Sequence, residues 1–325
     1  MKHLILAPLR GFTDAVFRNA FQRHFQGIDE ALAPFVTSIK GRRIKPSHLR
    51  DLAPADNRAM PIVPQILSNN IDEFIRLANT LINLGYGEIN WNLGCPYPMV
   101  AKKMRGSGLL PHPDIIDRML EKTLHGFAGS LSIKTRLGRF SADEMDRLIP
   151  VFNRYPLARV IVHPRTGVQM YAGNVDLKAF ESCLANISHP VIYNGDINDL
   201  AMFQSLESRL PVVSGWMLGR GLIANPFLPE MIQSGTRLIC HGKARFEQFH
   251  DDLVDEYSRL FSGPGHVLDR MKGFWRYFAS GLSDGSQILK KIRKAGSLGR
   301  YRQVVAAVLD GQDIWIGQAS VPDER

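Results

Sequence analysis

Eight short apolar, β-prone runs recur along the first two-thirds of the chain, and helix-like segments separate most of them. The runs cover residues 3–8, 31–39, 61–67, 86–92, 130–135, 159–163, 191–194 and 212–218. Strands alternating with helices imply parallel βα units, because parallel neighbours are joined by long crossover connections. Eight such units predict an α/β fold of the (β/α)8 TIM-barrel type. The helical segments carry their own signals. Residues 14–25 put Phe17, Phe21 and Phe25 on one face, and 72–84 open with acidic residues and stop at Gly85. Residues 114–125 follow Pro113, and 142–152 follow the cap candidate Ser141. A doubly wound open sheet is the rival architecture. It is weakened by Pro8-Leu9-Arg10-Gly11, which stands where such a sheet carries a glycine-rich turn.

The pattern changes after about residue 235. Helical patterns at 246–260, 266–282, 286–294 and 301–309 continue without strand-like runs, and Gly263-Pro264-Gly265 separates the first two. The expected organisation is a barrel domain over 1–238 and an all-helical C-terminal domain over 239–325, with residues 318–325 frayed. A chain of 325 residues, 45% hydrophobic, is long enough for both. No apolar run reaches the length that crosses a bilayer, and the apolar start at 3–8 is too short for a secretory signal. Cys95, Cys183 and Cys240 are too dispersed for a disulfide framework, and without a CxxC spacing no metal site is expected. A cytoplasmic monomer with no membrane association follows as the simplest expectation. Lys and Arg number 40 against 31 Asp and Glu, a net charge of +9. That suits a polyanion such as nucleic acid, and equally a basic protein with no such partner.

Barrel enzymes place their chemistry at the C-terminal ends of the strands. Here the first strand ends in Pro8-Leu9-Arg10-Gly11, the third near Gln65, and the fourth at Asn92-Leu93-Gly94-Cys95-Pro96. The fifth carries Lys134 and Arg136, the sixth His163 and Arg165. The seventh ends in Asn194-Gly195-Asp196 and the eighth in Gly219-Arg220-Gly221. Each has an ordinary alternative: Cys95 as a small buried hydrophobe, Lys134 as an edge residue, His163 as a core histidine, Gly219-Arg220 as a turn. A Lys inside a buried parallel strand nevertheless needs an electron-rich partner. A loop after strand eight is where barrels bind phosphate. A Lys, a Gln amide, a His and a phosphate cradle together suit a flavin mononucleotide, with Cys95 as a proton donor opposite it.

These residues, in order, resemble the tRNA-dihydrouridine synthases. The resemblance rests on Leu6-Ala7-Pro8, Asn92-x-Gly94-Cys95-Pro96, Gly106-Ser107-Gly108-Leu109-Leu110, Lys134-x-Arg136-x-Gly138, His163-x-Arg165-Thr166, Asn194-Gly195-Asp196-Ile197 and Gly219-Arg220-Gly221. It covers nearly the whole chain. It implies a barrel that binds FMN, followed by a helical tRNA-binding domain, with NADPH as reductant. It implies Cys95 as the acid that protonates uracil C5, while hydride reaches C6 from the reduced flavin. Pro8, Leu9, Arg10, Gln65, Asn92, Lys134 and His163 take the positions of flavin contacts by this resemblance. Asn194, Gly195, Asp196, Gly219 and Arg220 take those of the phosphate-side loops.

The C-terminal run Arg270-Met271-Lys272-Gly273-Phe274-Trp275-Arg276-Tyr277 is similar to the C-type subfamily's Arg-x-Lys-x-x-x-x-Tyr helix. That subfamily implies uridine 16 of the D-loop as the target. It also implies Arg270, Lys272, Tyr277, Arg293, Tyr171 and Asn92 as tRNA contacts. A solvated amphipathic face is the plain alternative for the helix. The chain departs from the family pattern at Leu9-Arg10, at Ala33-Pro34 and at Pro164. The rival functions are a flavin reductase of a small pyrimidine or enone, a Schiff-base aldolase at Lys134, and a non-catalytic tRNA-binding barrel.

Overall fold

The computed structural model describes residues 1–41, 44–282 and 284–310, so the expected frayed end at 318–325 lies outside the described residues. Strand β1 (Leu4–Leu6) leads into helix α1 (Ala15–His24), followed by β2 (Glu30–Leu32), β3 (Val36–Thr37), β4 (Ile62–Val63) and β5 (Gln65–Leu67). Next come α2 (Ile71–Asn83), β6 (Glu88–Leu93), α3 (Pro98–Ala101), α4 (Pro113–Leu124), β7 (Ser130–Gly138) and α5 (Glu144–Asn153). The barrel closes with β8 (Leu157–Thr166), α6 (Leu177–Asn186), β9 (Val191–Tyr193), α7 (Leu200–Arg209) and β10 (Gly215–Leu218). Helices α8 (Arg220–Ala224) and α9 (Leu228–Ser234) follow, then α10 (Gly242–Leu260), α11 (Pro264–Phe278), α12 (Gly285–Lys294) and α13 (Leu298–Asp310).

All strand pairs are parallel, in the order β3-β5-β6-β7-β8-β9-β10-β1-β2-β4. The two ends of that order are halves of broken strands. Pro34 lies between β2 and β3, and Pro64 between β4 and β5; neither has an N–H for the ladder. Because β2 pairs with β4 and β3 with β5, the ten segments close into the eight predicted strands. Strands β7 and β8 run beyond their apolar stretches, since their C-terminal ends carry the buried Arg136 and Arg165. Helices α6 and α7 are not among the segments expected from the periodicity. Their legible signals are Asp176 and Asp199, which cap them by accepting from Ala179 N (2.9 Å) and Met202 N (2.8 Å).

The lumen is packed, not open. Ile5, Leu32, Val63, Ile161, Ile192 and Met217 fill it. At the N-terminal end Arg159 of β8 joins Glu30 of β2 to Glu88 of β6. The predicted phenylalanine face of α1 turns outward. Phe17 stacks on Phe274 at 5.6 Å and meets Phe249 edge-on at 5.7 Å, while Phe25 meets Phe249 at 5.0 Å. The C-terminal helices thus share one hydrophobic cluster with the shell of the barrel. Among the described residues no helix is long and apolar enough to cross a membrane.

Candidate active site

Pleat and register bring the polar groups together. Side chains alternate along a strand, so Asn90 and Asn92 share one face of β6, and Ser132, Lys134 and Arg136 one face of β7. The register sets Asn90 beside Ser132 and Asn92 beside Lys134. A buried hydrogen-bonded chain results. Asn90 Nδ2 donates to Ser132 Oγ (2.8 Å), Gln65 Nε2 to Asn90 Oδ1 (2.8 Å), and Asn92 Nδ2 to Gln65 Oε1 (2.7 Å). Asn92 Oδ1 then accepts the N–H groups of Gly94 (3.1 Å) and Cys95 (2.9 Å). Those two backbone donors fix which end of the amide is oxygen, and the chain ends by shaping the turn that carries the thiol. Gln65 stands in the middle of this chain. It lies fully buried beneath Asn92 with both ends of its amide engaged, and it lines neither cavity described below. Asn90 and Ser132 went unnoticed; each stands two residues before a residue already singled out, which was the available signal.

Cys95 is 8% exposed. The Gly106-Ser107-Gly108 motif packs against it. Ser107 N donates to Cys95 O (3.0 Å), and Gly106, at φ +56°, would place a Cβ 2.8 Å from Cys95 Cβ. Any side chain at Gly106 would therefore push the thiol loop away. Burial pushes the Cys95 thiol above its ordinary value, opposed by the Tyr97 N–H and by the charges of Arg136, Arg10 and Lys134. Burial also lowers Lys134 to about 7, with the Arg136 cation acting in the same direction. Among the described residues no carboxylate is paired with Lys134. His163 lies well below its ordinary value through burial and the cations of Arg136, Lys134, Arg165 and Arg220. Its Nε2 faces Arg165 Nη1 at 3.1 Å; Arg can only donate, so the neutral ring carries its proton on Nδ1.

Two adjoining cavities open at this end of the barrel. One holds Arg10, Phe35, Asn92, Cys95, Tyr97 and Arg136. The other holds Asn194, Gly195, Asp196, Gly219, Arg220 and Gly221. Pro8, Leu9, Lys134, His163 and Tyr171 line both. Tyr171 lies between two guanidinium groups, Arg136 at 5.2 Å and Arg220 at 4.9 Å. Asp196, at φ +38°, is held by Arg165 Nη1 (3.1 Å) and Arg220 Nη2 (3.1 Å). Asn194 Nδ2 donates to Met217 O (2.9 Å). Arg10 lies over the Phe35 ring at 5.7 Å. Phe35 and Asn198, which also line the cavities, carried no sequence signal.

Two residues expected as tRNA contacts pack against the loop after β1. Arg270 Nη1 donates to Gly11 O and sits 3.4 Å from Asp14 Oδ2, with its guanidinium over Tyr257 and Phe261. Tyr277 is 4% exposed, its ring 5.0 Å from Phe12. Both join α11 to the loop after β1. Lys272 is half-buried and Arg293 is exposed.

Residues 5–258 match the model of the dihydrouridine synthase family. The chain belongs to that family. It is thus an enzyme, an oxidoreductase. A probable tRNA-dihydrouridine synthase of Staphylococcus aureus (strain COL) is 30% identical over 321 residues, 93% of this chain and 91% of the relative. Probable tRNA-dihydrouridine synthase 2 of Bacillus subtilis (strain 168) is 26% identical over 317 residues, 93% of this chain and 92% of that one. Among solved structures, the old yellow enzyme of Trypanosoma cruzi aligns with a TM-score of 0.54 at 12% identity, over 73% of this chain and 89% of its own. At that identity the likeness is one of barrel architecture.

Proposed function

We propose that this enzyme reduces the 5,6-double bond of a uridine in the D-loop of tRNA, at position 16, using FMN and NADPH. The observation that carries the proposal is a buried thiol at the mouth of a pocket rich in cations. Lys134, Arg136, Arg165, Arg220 and Arg10 gather there against Asp196, which two of the arginines already engage. That balance, with a half-buried Lys134 lacking a carboxylate, fits an anionic cofactor with a phosphate. Pro8, Leu9, Arg10, Asn92, Lys134 and His163 would hold its ring, and Asn194, Gly195, Asp196, Gly219 and Arg220 its phosphate side. When bound, the reduced flavin supplies the hydride for uracil C6, and NADPH restores it.

The rest belongs to this chain's residues. Cys95 Sγ gives its proton to C5, and solvent returns one to the thiolate. A thiol raised by burial stays protonated near neutrality, as an acid must. Lys134 regains its full charge beside an anion. His163, neutral, contributes hydrogen bonding without adding a cation. Asn92 fixes the Cys95 turn from below and reaches the substrate side. The target base must leave its stack to reach this depth, which suits a loop nucleotide. Names of the relatives support tRNA as substrate. The C-terminal unit, over 239–325, binds tRNA through Lys272 and Arg293, with Tyr171 at the mouth of the barrel, 1–238. The enzyme acts in the cytoplasm as a monomer.

Mapping dihydrouridine in tRNA from cells with and without this gene tests the proposal. Loss at position 16 alone supports it. Loss at another position would correct the target, and an unchanged map, or purified protein that takes up no flavin, would sink it.

A further inference from the structure

We infer that the rim of the barrel mouth is a stacking platform for the nucleotides that flank the target uridine. The inference rests on the tRNA reading above. Among the described residues eleven large hydrophobic side chains are exposed, and five of them, Tyr97, Met99, Met104, Phe140 and Val168, occupy three consecutive connections, after β6, β7 and β8. Phe140 is 65% exposed and Met99 81%. Side chains scattered singly need no explanation, but a cluster continuous with a pocket does. Tyr97 lines the Cys95 cavity, so the patch begins at the pocket itself.

The rim is held rigidly. The Glu144 carboxylate accepts three consecutive backbone N–H groups, from Arg139 (2.8 Å), Phe140 (2.8 Å) and Ser141 (3.2 Å). Arg139 Nη1 donates to Pro96 O (3.3 Å) and Ser107 Oγ (3.1 Å), tying the Phe140 turn to the thiol loop. Val168 N donates to Arg139 O (3.0 Å), which sets Val168 beside that turn. The Arg139 guanidinium lies 5.7 Å from the Phe140 ring centre. A prepared backbone therefore presents an aromatic side chain to solvent. The charges around it decide the occupant. Lys102 and Lys103 are exposed between Met99 and Met104 and form no ion pair among the described residues. Cations interleaved with aromatic faces suit single-stranded RNA, whose backbone is anionic and whose every base has a face to stack. A purely apolar protein partner would gain nothing from the lysines.

The test uses the flavin-loaded full chain and an unmodified tRNA transcript. Phe140→Ala should raise Kd by about 5- to 150-fold, the loss of one stacked base, with an unchanged salt slope. Phe140→Trp should restore affinity, and Lys102→Ala should lower the salt slope by about one. Reduction of the flavin by NADPH should be the same in all three variants. Wild-type affinity in Phe140→Ala overturns the platform. A change of sedimentation on Phe140→Ala also overturns it, because the patch would then join two copies of the chain. If the wild-type protein itself fails to bind the transcript, the tRNA reading fails with it, and the two failures are told apart by that control.

Discussion

At the scale of single residues, Cys95 and Lys134 pull against each other in one site. Burial raises the thiol above its ordinary value and, for the same reason, lowers the lysine to about 7. Cys95→Ala should keep cofactor and tRNA affinity and lose reduction by about a hundred-fold or more, measured under single turnover. Equal rates would remove the thiol from the chemistry. Lys134 costs stability in the cofactor-free protein. Its folded value is depressed to about 7, while the unfolded lysine titrates near 10.5. Below pH 7 both states are charged, and the fold bears the whole cost of burying the cation. Between 7 and 10.5 that cost fades, and above 10.5 it is gone. Lys134→Met should therefore stabilise the cofactor-free protein by about 1–3 kcal/mol at pH 6, with the gain shrinking as pH rises. Urea unfolding at pH 6 and pH 9 checks the sign; a gain that grows with pH would refute it. The same substitution should weaken flavin binding, so this residue sacrifices stability for the site.

At the scale of elements, the site is made by strand register more than by loops. Gln65 on β5, Asn90 and Asn92 on β6 and Ser132 on β7 form a single chain of hydrogen bonds across three strands. Replacing Gln65 by Leu leaves Asn90 Oδ1 and Asn92 Nδ2 without their partners in a buried space. That should cost about 2 kcal/mol or more in urea unfolding. It should also slow reduction more than it changes flavin affinity, because Asn92 holds the Cys95 turn. The strand ends were legible because polar residues inside apolar runs stand out. Asn92, Cys95, Lys134, His163, Asn194 and Arg220 all reach one mouth, where the order of runs placed them. What was not legible depended on three-dimensional pairing. A strand end does not show that the Gln65 amide bridges Asn90 and Asn92. Arg270 and Tyr277 read as an exposed face because nothing in their own helix reveals that Gly11, Asp14 and Phe12 cover it.

At the scale of the whole molecule, the helices after residue 239 do more than extend a binding surface. The chain reads as two units, yet the packing joins them. Phe17 of α1 and Phe25, which follows it, face Phe249 and Phe274, and Phe12 lies edge-on to Phe274 and Tyr277 at 5.3 and 5.0 Å. Each buried phenylalanine contributes about 1.5–3 kcal/mol of transfer free energy, and several would be exposed at once without the C-terminal helices. The loop Leu9–Gly11, whose first two residues line the Cys95 cavity, would also lose its tie to Arg270. A chain cut after residue 238 should therefore aggregate, or unfold well below the full protein. The full protein should melt in one calorimetric transition with equal van't Hoff and calorimetric enthalpies. A soluble cut barrel that keeps its flavin, or two resolved transitions in the full chain, would show that the barrel stands alone and that the aromatic seam is an ordinary domain contact. If one transition is found, the loop lining the Cys95 cavity and the helices proposed to hold tRNA belong to one cooperative body. Substitutions in the seam, Phe12→Ala among them, should then lower flavin retention and melting temperature together.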